Sequence, residues 1–184
     1  MIFLRKKAKK MGIKFGLEME PNEAVYNPET VLRLREAVGL DEIGCNLDPS
    51  HIFYQGIDLE AVTRGLGDAI CHVHMKDAKM EKENIKLTGV IDNKDFSESL
   101  KRSWHYTVIG YGHDILYWKN FITTLRLIGY DGALNIELQN TYMTGNEQLT
   151  KAVKLLKDIV VKEEIKEYWW DGFYKLDMLM RHMK

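Results

Sequence analysis

Residues 43–48, Ile43-Gly44-Cys45-Asn46-Leu47-Asp48, alternate between apolar side chains and small or polar ones, and Pro49 ends the run. Alternation with a period of two is typical of a β-strand. Three further runs share the pattern, at residues 13–18, 69–74 and 133–137. Helical patterns separate or follow these runs, from residue 28, after residue 58, after residue 114 and from about residue 146. Strands that alternate with amphipathic helices predict an α/β fold of βαβ units with a parallel sheet.

The four predicted strands can be aligned by their last polar residue. Those residues are Glu18, Asp48, His74 and Glu137. The residues two positions earlier are also small or polar, whereas the intervening positions are apolar, Cys71 among them. Because side chains alternate between the faces of a strand, the apolar set is expected to pack on helices. The other face of every strand is expected to line a polar interior.

The four aligned residues suit a divalent metal ion. Carboxylate oxygens and an imidazole nitrogen bind hard or borderline ions such as Mn²⁺, Mg²⁺, Co²⁺ or Zn²⁺. The absence of cysteine from these four positions argues against a structural zinc site. Functional residues of parallel α/β folds gather at the carboxyl ends of the strands. The sequence therefore predicts a metal site formed by Glu18, Asp48, His74 and Glu137.

Four other residues are candidates for substrate contacts. His51 follows Asp48 by three residues and is expected to face the same pocket, as a ligand, a proton shuttle or a substrate contact. Lys76 could bind a phosphate or a developing oxyanion, and Arg102 would suit a phosphate. His113 is a weaker candidate. The alternatives are a histidine at a helix start for His51 and a solvated rim lysine for Lys76.

Composition limits the class of protein. The 184 residues suit one domain over residues 1–184. A net charge of −1 gives no general attraction to nucleic acid or to anionic membranes. Two cysteines do not make a disulfide framework, and no apolar run approaches the ~20 residues of a membrane-spanning helix. We therefore expect a cytoplasmic protein with no nucleic-acid or membrane partner.

Two segments stand outside the strand-helix rhythm. Residues 76–112 are too long for a passive connection and are interpreted as a long active-site loop, or lid, with a short helix near residues 96–100. The alternative is a disordered insertion. Residues 163–184 carry apolar and aromatic side chains at helical spacing, which predicts a C-terminal helix. That helix would either dock on its own domain or form a surface for self-association.

Five short motifs resemble one known family. They are LE at 17–18, GCNLDPSH at 44–51, HVHMKD at 72–77, GYGHD at 110–114, and GYDG at 129–132 leading to Ile136 and Glu137. Together they resemble the sugar phosphate isomerase/epimerase family of the xylose isomerase-like TIM-barrel superfamily, over roughly residues 12–160. The resemblance implies four strands that form the C-terminal half of a TIM barrel, plus the extra C-terminal helix.

The resemblance also implies roles for individual residues. Glu18, Asp48, His74 and Glu137 match the metal ligands, and Glu18 and Glu137 match the acid/base pair. His51 matches a histidine that contacts substrate. The implied reaction is isomerisation or epimerisation of a small sugar or sugar phosphate, by proton transfer next to a carbonyl through an enediolate. Two departures affect groups around the ligands: Glu20 replaces an expected histidine, and residues 138–140 replace a more acidic run.

Four strands are half of a barrel, which has consequences for assembly. An isolated half barrel leaves two sheet edges open. A second copy could pair with them, which predicts a homo-oligomer such as a homodimer, or the C-terminal helix could cover the gap. The family's substrate contacts from the first half of the barrel would be missing, which leaves two alternatives for the truncated chain, an active enzyme or an inactive one. Two alternative functions are an endonuclease IV-like phosphodiesterase and a non-catalytic remnant that folds as a dimer.

Overall fold

The computed structural model describes residues 2–38 and 43–163. Apart from Glu163, the predicted C-terminal helix at 163–184 lies outside the described residues. The strands of the described part are β1 (Phe15–Glu18), β2 (Ile43–Leu47), β3 (Ile70–Met75), β4 (Asp77–Met80), β5 (Trp104–Thr107) and β6 (Leu134–Ile136). Strands β1, β2, β3 and β6 form one parallel sheet in that order. The prediction of four parallel strands is therefore confirmed.

Helices follow the strands of this sheet. In the described part they are α1 (Ile2–Met11), α2 (Pro28–Val38), α3 (Pro49–Phe53), α4 (Leu59–Leu66), α5 (Lys82–Thr88), α6 (Ile115–Leu127) and α7 (Gly145–Ile159), with 3₁₀ helices at Gly67–Ala69 and Phe96–Lys101. Helices α2, α4, α6 and α7 pack side by side in that sequence. None of the described helices is long and apolar enough to cross a membrane.

Local sequence explains where the main helices start. Asp58 accepts a hydrogen bond from the Ala61 amide at 2.7 Å and caps α4. Asp114 caps α6 in the same way through the Tyr117 amide. Each cap satisfies an amide that has no partner within the helix. The apolar faces of these helices then cover the sheet with a buried core that includes Val62, Leu66, Val73, Trp118, Phe121 and Leu125.

The segment from residue 76 to residue 112 has more regular structure than the sequence indicates. Strands β4 and β5 pair antiparallel as a two-stranded ribbon, with α5 and a 3₁₀ helix between them. The short helix expected near residues 96–100 is present as the 3₁₀ helix Phe96–Lys101. The strands escaped prediction because each is only four residues long, although apolar and polar side chains alternate along both. The alternative of a disordered insertion does not describe this segment.

The predicted alternation of faces is wrong at Cys71. The register between β2 and β3 shifts so that Cys45 pairs with Ile70 and Asn46 pairs with His72. Cys71 is the extra residue of this bulge, and a bulge redirects the side chains beside it. Its sulfur lies 2.5 Å from where a Cβ on Gly44 would stand. Glycine at position 44 therefore makes room for Cys71 on the face of the sheet that also carries Asn46.

Candidate metal centre

Four ligand-type side chains converge at the carboxyl ends of the parallel strands. Glu18, Asp48, His74 and Glu137 each offer one ligand atom, and these atoms lie within 4.8 Å of one another. Three carboxylates surround one imidazole nitrogen, His74 Nδ1. Its distances are 2.8 Å to Glu137 Oε2, 3.3 Å to Glu18 Oε1 and 3.8 Å to Asp48 Oδ2. The donor set of carboxylate oxygens and one imidazole fits a hard or borderline divalent ion.

The strand register shows how the four residues reach one point. Glu18 on β1 is level with Asn46 on β2, two residues before Asp48. His74 on β3 is level with Asn135 on β6, two residues before Glu137. The ligand-type residues are therefore offset by two positions between β1 and β2 and between β3 and β6, as happens when strands tilt in a barrel. Between β2 and β3 the register pairs Asn46 with His72, so Asp48 and His74 are level. Matching the four strands by their last polar residue identifies the face that these residues share. The offset between neighbouring strands is set only by how the strands pair.

Asp48 links the cluster to the backbone. Its Oδ1 accepts a hydrogen bond from the Ser50 amide at 2.8 Å and thereby caps α3. Burial tends to raise the pKa of Asp48, but the neighbouring imidazole of His74 and the charge of Lys76 outweigh burial and hold the pKa below its ordinary value. The Asp48 carboxylate is in turn the main cause that raises the pKa of His74, with Glu18 adding to it.

His51 lies beside the cluster. Its Nε2 is 3.4 Å from Glu18 Oε1 and 3.6 Å from Asp48 Oδ2, and the residue is 3% exposed. On the other side of the ring, Nδ1 lies 2.8 Å from the Tyr54 hydroxyl and 3.4 Å from that of Tyr106. Burial raises the pKa of Tyr54 to about 12, so its hydroxyl keeps its proton. A hydroxyl that donates to Nδ1 leaves the imidazole proton on Nε2, which faces the two carboxylates.

Lys76 lies inside the cluster. Its Nζ is 2.8 Å from Asp48 Oδ2 and 2.7 Å from Glu137 Oε1, and it also donates to Gln139 Oε1 at 3.2 Å. The side chain is 2% exposed. Burial tends to lower the pKa of Lys76, yet the Asp48 and Glu137 carboxylates more than offset this and raise it. The alternative of a solvated rim lysine is wrong, because the ammonium group is buried between carboxylates of the cluster.

The structure does not bring Arg102 and His113 to the cluster. Arg102 is buried, with its guanidinium over the rings of Phe96 and Trp104 at 4.2 and 4.7 Å, and it donates to the backbone carbonyls of Lys94 and Trp104. Its expected contact with a phosphate is therefore replaced by contacts within the protein. His113 forms a hydrogen bond with Asp77, with 2.7 Å between Nδ1 and Oδ1, and packs against the ring of Phe53.

Some residues that contact the cluster are not among the site residues predicted from the sequence. Asn46 Nδ2 lies 3.4 Å from Glu18 Oε2 and 3.2 Å from His74 Nε2, and the alternation of β2 does place Asn46 on this face. Tyr54 follows His51 by three residues, a spacing that could have signalled their contact on a short helix. Tyr106 and Gln139 carry no comparable signal, because β5 was not predicted and residue 139 lies beyond the end of β6.

Comparisons with known proteins concern the family and the architecture of the chain. A family model described as xylose isomerase-like TIM barrel matches residues 3–159. The uncharacterized protein YfiH of Bacillus subtilis is 37% identical over 158 residues, which cover 85% of this chain and 50% of YfiH. The chain thus spans about half the length of this curated relative.

Solved structures show the same fold. A xylose isomerase domain protein from Planctomyces limnophilus superposes with a TM-score of 0.61 at 24% identity, over 85% of this chain and 51% of that protein. D-psicose 3-epimerase, crystallised in the presence of D-fructose, superposes with a TM-score of 0.59 at 15% identity, over 86% of this chain and 53% of the epimerase. At such low identity these likenesses establish the architecture alone.

Proposed function

The chain belongs to the xylose isomerase-like TIM-barrel family, and from that premise we propose that it carries the metal-binding half of a sugar isomerase or epimerase. In the proposed reaction a proton is moved at the carbon next to the carbonyl of a small sugar. The observation that carries the proposal is the convergence of Glu18, Asp48, His74 and Glu137 within 4.8 Å. The epimerase that shares the fold supports the reaction class.

The proposed roles follow from the position of each residue. Glu18, Asp48, His74 and Glu137 would hold the ion, which when bound supplies a Lewis acid that polarises a carbonyl oxygen and acidifies the neighbouring C–H. Glu18 ends β1 and Glu137 follows β6, and these are the two outer strands of the described sheet. They therefore approach the pocket from opposite sides. We assign one carboxylate to removal of the proton and the other to its return.

His51 has a separate proposed role as a donor to the substrate or to Glu18. Its Nε2 faces Glu18 at 3.4 Å, and its Nδ1 is held by the Tyr54 hydroxyl. A hydrogen bond behind an imidazole fixes both its ring orientation and its tautomer. His51 can thus donate one N–H to an oxygen in the pocket while its ring keeps the same orientation.

The structure favours an unphosphorylated sugar over a sugar phosphate as the substrate of this half. Lys76 is engaged by Asp48, Glu137 and Gln139, and Arg102 is engaged by backbone carbonyls and aromatic rings. Both cations that were expected to bind a phosphate are thus occupied within the protein. The other polar groups at the cluster are its carboxylates, the imidazoles of His51 and His74 and the amide of Asn46, a mainly acidic set that suits hydroxyl and carbonyl oxygens better than an anion.

Two measurements test the proposal. Titration calorimetry with Mn²⁺ should give one site per chain, and NMR in ²H₂O should show deuterium entering D-fructose next to its carbonyl, faster than in D-fructose 6-phosphate. Glu18→Gln should abolish exchange, while Glu20→Gln, two residues along the chain and exposed, should preserve it. Absence of both Mn²⁺ binding and exchange would contradict the proposal. Binding without exchange would favour the non-catalytic alternative.

We also propose that the chain works as a homo-oligomer. Among the described residues β1 and β6 each pair with a single strand, which leaves an edge on both sides of the sheet. Open edges pair readily with further strands, and a second copy can supply them. Light scattering coupled to size-exclusion chromatography should give a mass of two or more chains, whereas a monomer at micromolar concentration would contradict this assignment.

A further inference from the structure

Lys76 occupies an unusual place for a lysine, inside the group of residues assigned to metal binding. It is 2% exposed, and its ammonium group lies 2.8 Å from Asp48 Oδ2 and 2.7 Å from Glu137 Oε1. A third oxygen, from the neutral side chain of Gln139, accepts a hydrogen bond from it at 3.2 Å. Lysine has three N–H donors and no acceptor. Three oxygens therefore surround the ammonium group, which donates hydrogen bonds to Glu137 and Gln139 and forms an ion pair with Asp48.

The cluster needs a positive charge when no ion is bound. Its three carboxylates, Glu18, Asp48 and Glu137, place ligand oxygens within 4.8 Å of one another. Like charges at this distance repel, and the repulsion grows where the surroundings exclude water. Asp48 is fully buried and cannot turn towards solvent. Lys76 supplies the opposite charge from within the chain.

Lys76 also distinguishes the two oxygens of Glu137. Oε1 accepts its hydrogen bond from Lys76, while Oε2 lies 2.8 Å from His74 Nδ1. The lysine thus holds one oxygen and leaves Oε2 directed at the other ligand-type residues. An aromatic ring limits the movement of the lysine itself, because Nζ stands 4.6 Å from the centre of the Tyr106 ring.

We propose that Lys76 supplies, while the site is empty, the positive charge that a bound ion would otherwise supply. The inference rests on the proposed function only in naming the site as one for a divalent ion. It predicts that the ammonium group competes electrostatically with the ion. Removing its charge should destabilise the empty protein and strengthen ion binding, whereas most losses of a structural residue would weaken both.

The test compares Lys76→Met with Lys76→Arg and with Lys79→Met. Lys79 is the matched control, since it lies three residues along, is half exposed and pairs with Glu81. In EDTA, Lys76→Met should melt below Lys79→Met. It should bind Mn²⁺ about tenfold more tightly than the unmodified chain. Mn²⁺ should therefore raise the melting temperature of this variant by more than it raises that of the unmodified chain. Lys76→Arg, which keeps the charge, should bind Mn²⁺ with about the affinity of the unmodified chain, even where its larger side chain lowers the melting temperature.

A second variant separates charge from packing. Glu137→Gln removes one carboxylate, so the double variant Lys76→Met/Glu137→Gln should be more stable in EDTA than Lys76→Met alone, and should fold even where the single variant does not. Equal melting of Lys76→Met and Lys79→Met, unchanged or weaker Mn²⁺ binding, or a double variant no more stable than the single one would overturn the proposal. If the unmodified chain binds no Mn²⁺, the proposed function fails, while the melting order in EDTA still decides the role of Lys76.

Discussion

The side chains of Asp77 and His113 meet with 2.7 Å between Oδ1 and Nδ1, although 36 residues separate them. The second oxygen of Asp77 accepts backbone N–H groups of Gly110, Gly112 and His113 at 2.9–3.2 Å. A side chain at position 112 would collide with this arrangement, since a Cβ there would stand 2.5 Å from Asp77 Oδ1. One buried carboxylate therefore fixes the glycine-rich loop to the start of the β4–β5 ribbon.

Asp77→Asn should destabilise the protein. The amide retains one acceptor but turns an NH₂ group towards backbone and imidazole donors, so we expect a loss of about 2–3 kcal/mol in the free energy of unfolding. Urea denaturation measures the loss. Asp114→Asn is the control, because Asn caps a helix about as well as Asp. Equal stabilities of the two variants would show that the loop does not depend on Asp77.

Replacing Arg102 should affect stability and not ion binding. Lysine cannot reproduce a planar group that covers the rings of Phe96 and Trp104 and donates to backbone carbonyls. We expect Arg102→Lys to lower the free energy of unfolding by about 1–3 kcal/mol. Arg64→Lys, at an exposed residue paired with Glu60, should change it by less than about 0.5 kcal/mol. A stable Arg102→Lys variant with impaired sugar binding would instead restore the interpretation of Arg102 as a substrate contact.

The two histidines of β3 provide a direct test of the ion site. His74 Nδ1 is surrounded by three carboxylates. His72 lies two residues earlier on β3, and 5.5 Å separates the centres of the two imidazole rings. His74→Ala should weaken Mn²⁺ binding about 100-fold or more, because losing a ligand exceeds the 10–100-fold effect of losing its neighbours. His72→Ala should leave the affinity within about threefold by the same reasoning. Titration calorimetry on both variants distinguishes them, and similar losses would argue against His74 as the ligand.

Stability should fall in mild acid because of His105. This residue is 5% exposed, and Nδ1 lies 3.6 Å from Glu81 Oε1. Burial lowers the pKa of His105, and the Glu81 carboxylate offsets this only in part. The unfolded chain therefore binds a proton more readily, and folding free energy should be lost as pH falls below about 6.5, by up to about 1.4 kcal/mol per pH unit.

The comparison that isolates His105 uses the variant His105→Gln. Urea denaturation between pH 7 and pH 5, with EDTA present throughout, should give a smaller slope for the variant than for the unmodified chain. EDTA keeps protonation of the metal-site residues from being confused with ion release. If the free energy of unfolding changes equally with pH in the variant and in the unmodified chain, other groups cause the acid sensitivity.

Much of the fold was accessible from local pattern. The period-two runs at 43–48 and 69–74 became β2 and β3, and Asp58 and Asp114 cap the helices that are predicted to follow residues 58 and 114. These features depend on residues within a few positions of one another. The ribbon of β4 and β5 was missed because each strand has only four residues and its pairing joins residues far apart, Asp77 with Thr107 for example.

The substrate-contact predictions show the same limit at single residues. Lys76 and Arg102 were read as groups available to a phosphate, since a sequence gives the charge of a side chain without its neighbours. In the structure each cation is enclosed by the chain's own acceptors or rings. Cys71 was assigned to the wrong face because one bulge changes the phase of a strand, and a bulge depends on the neighbouring strand.

By itself, the sequence determined the alternation of strand and helix, the face of each strand that carries polar residues, and the ligand types Glu18, Asp48, His74 and Glu137. Tertiary structure alone decided that these four meet within 4.8 Å and that Lys76 lies between Asp48 and Glu137. The physical reason is one of range. Alternation and capping follow from the geometry of adjacent peptide units, whereas the meeting of strand ends depends on register, tilt and bulges that are set only when the strands pair.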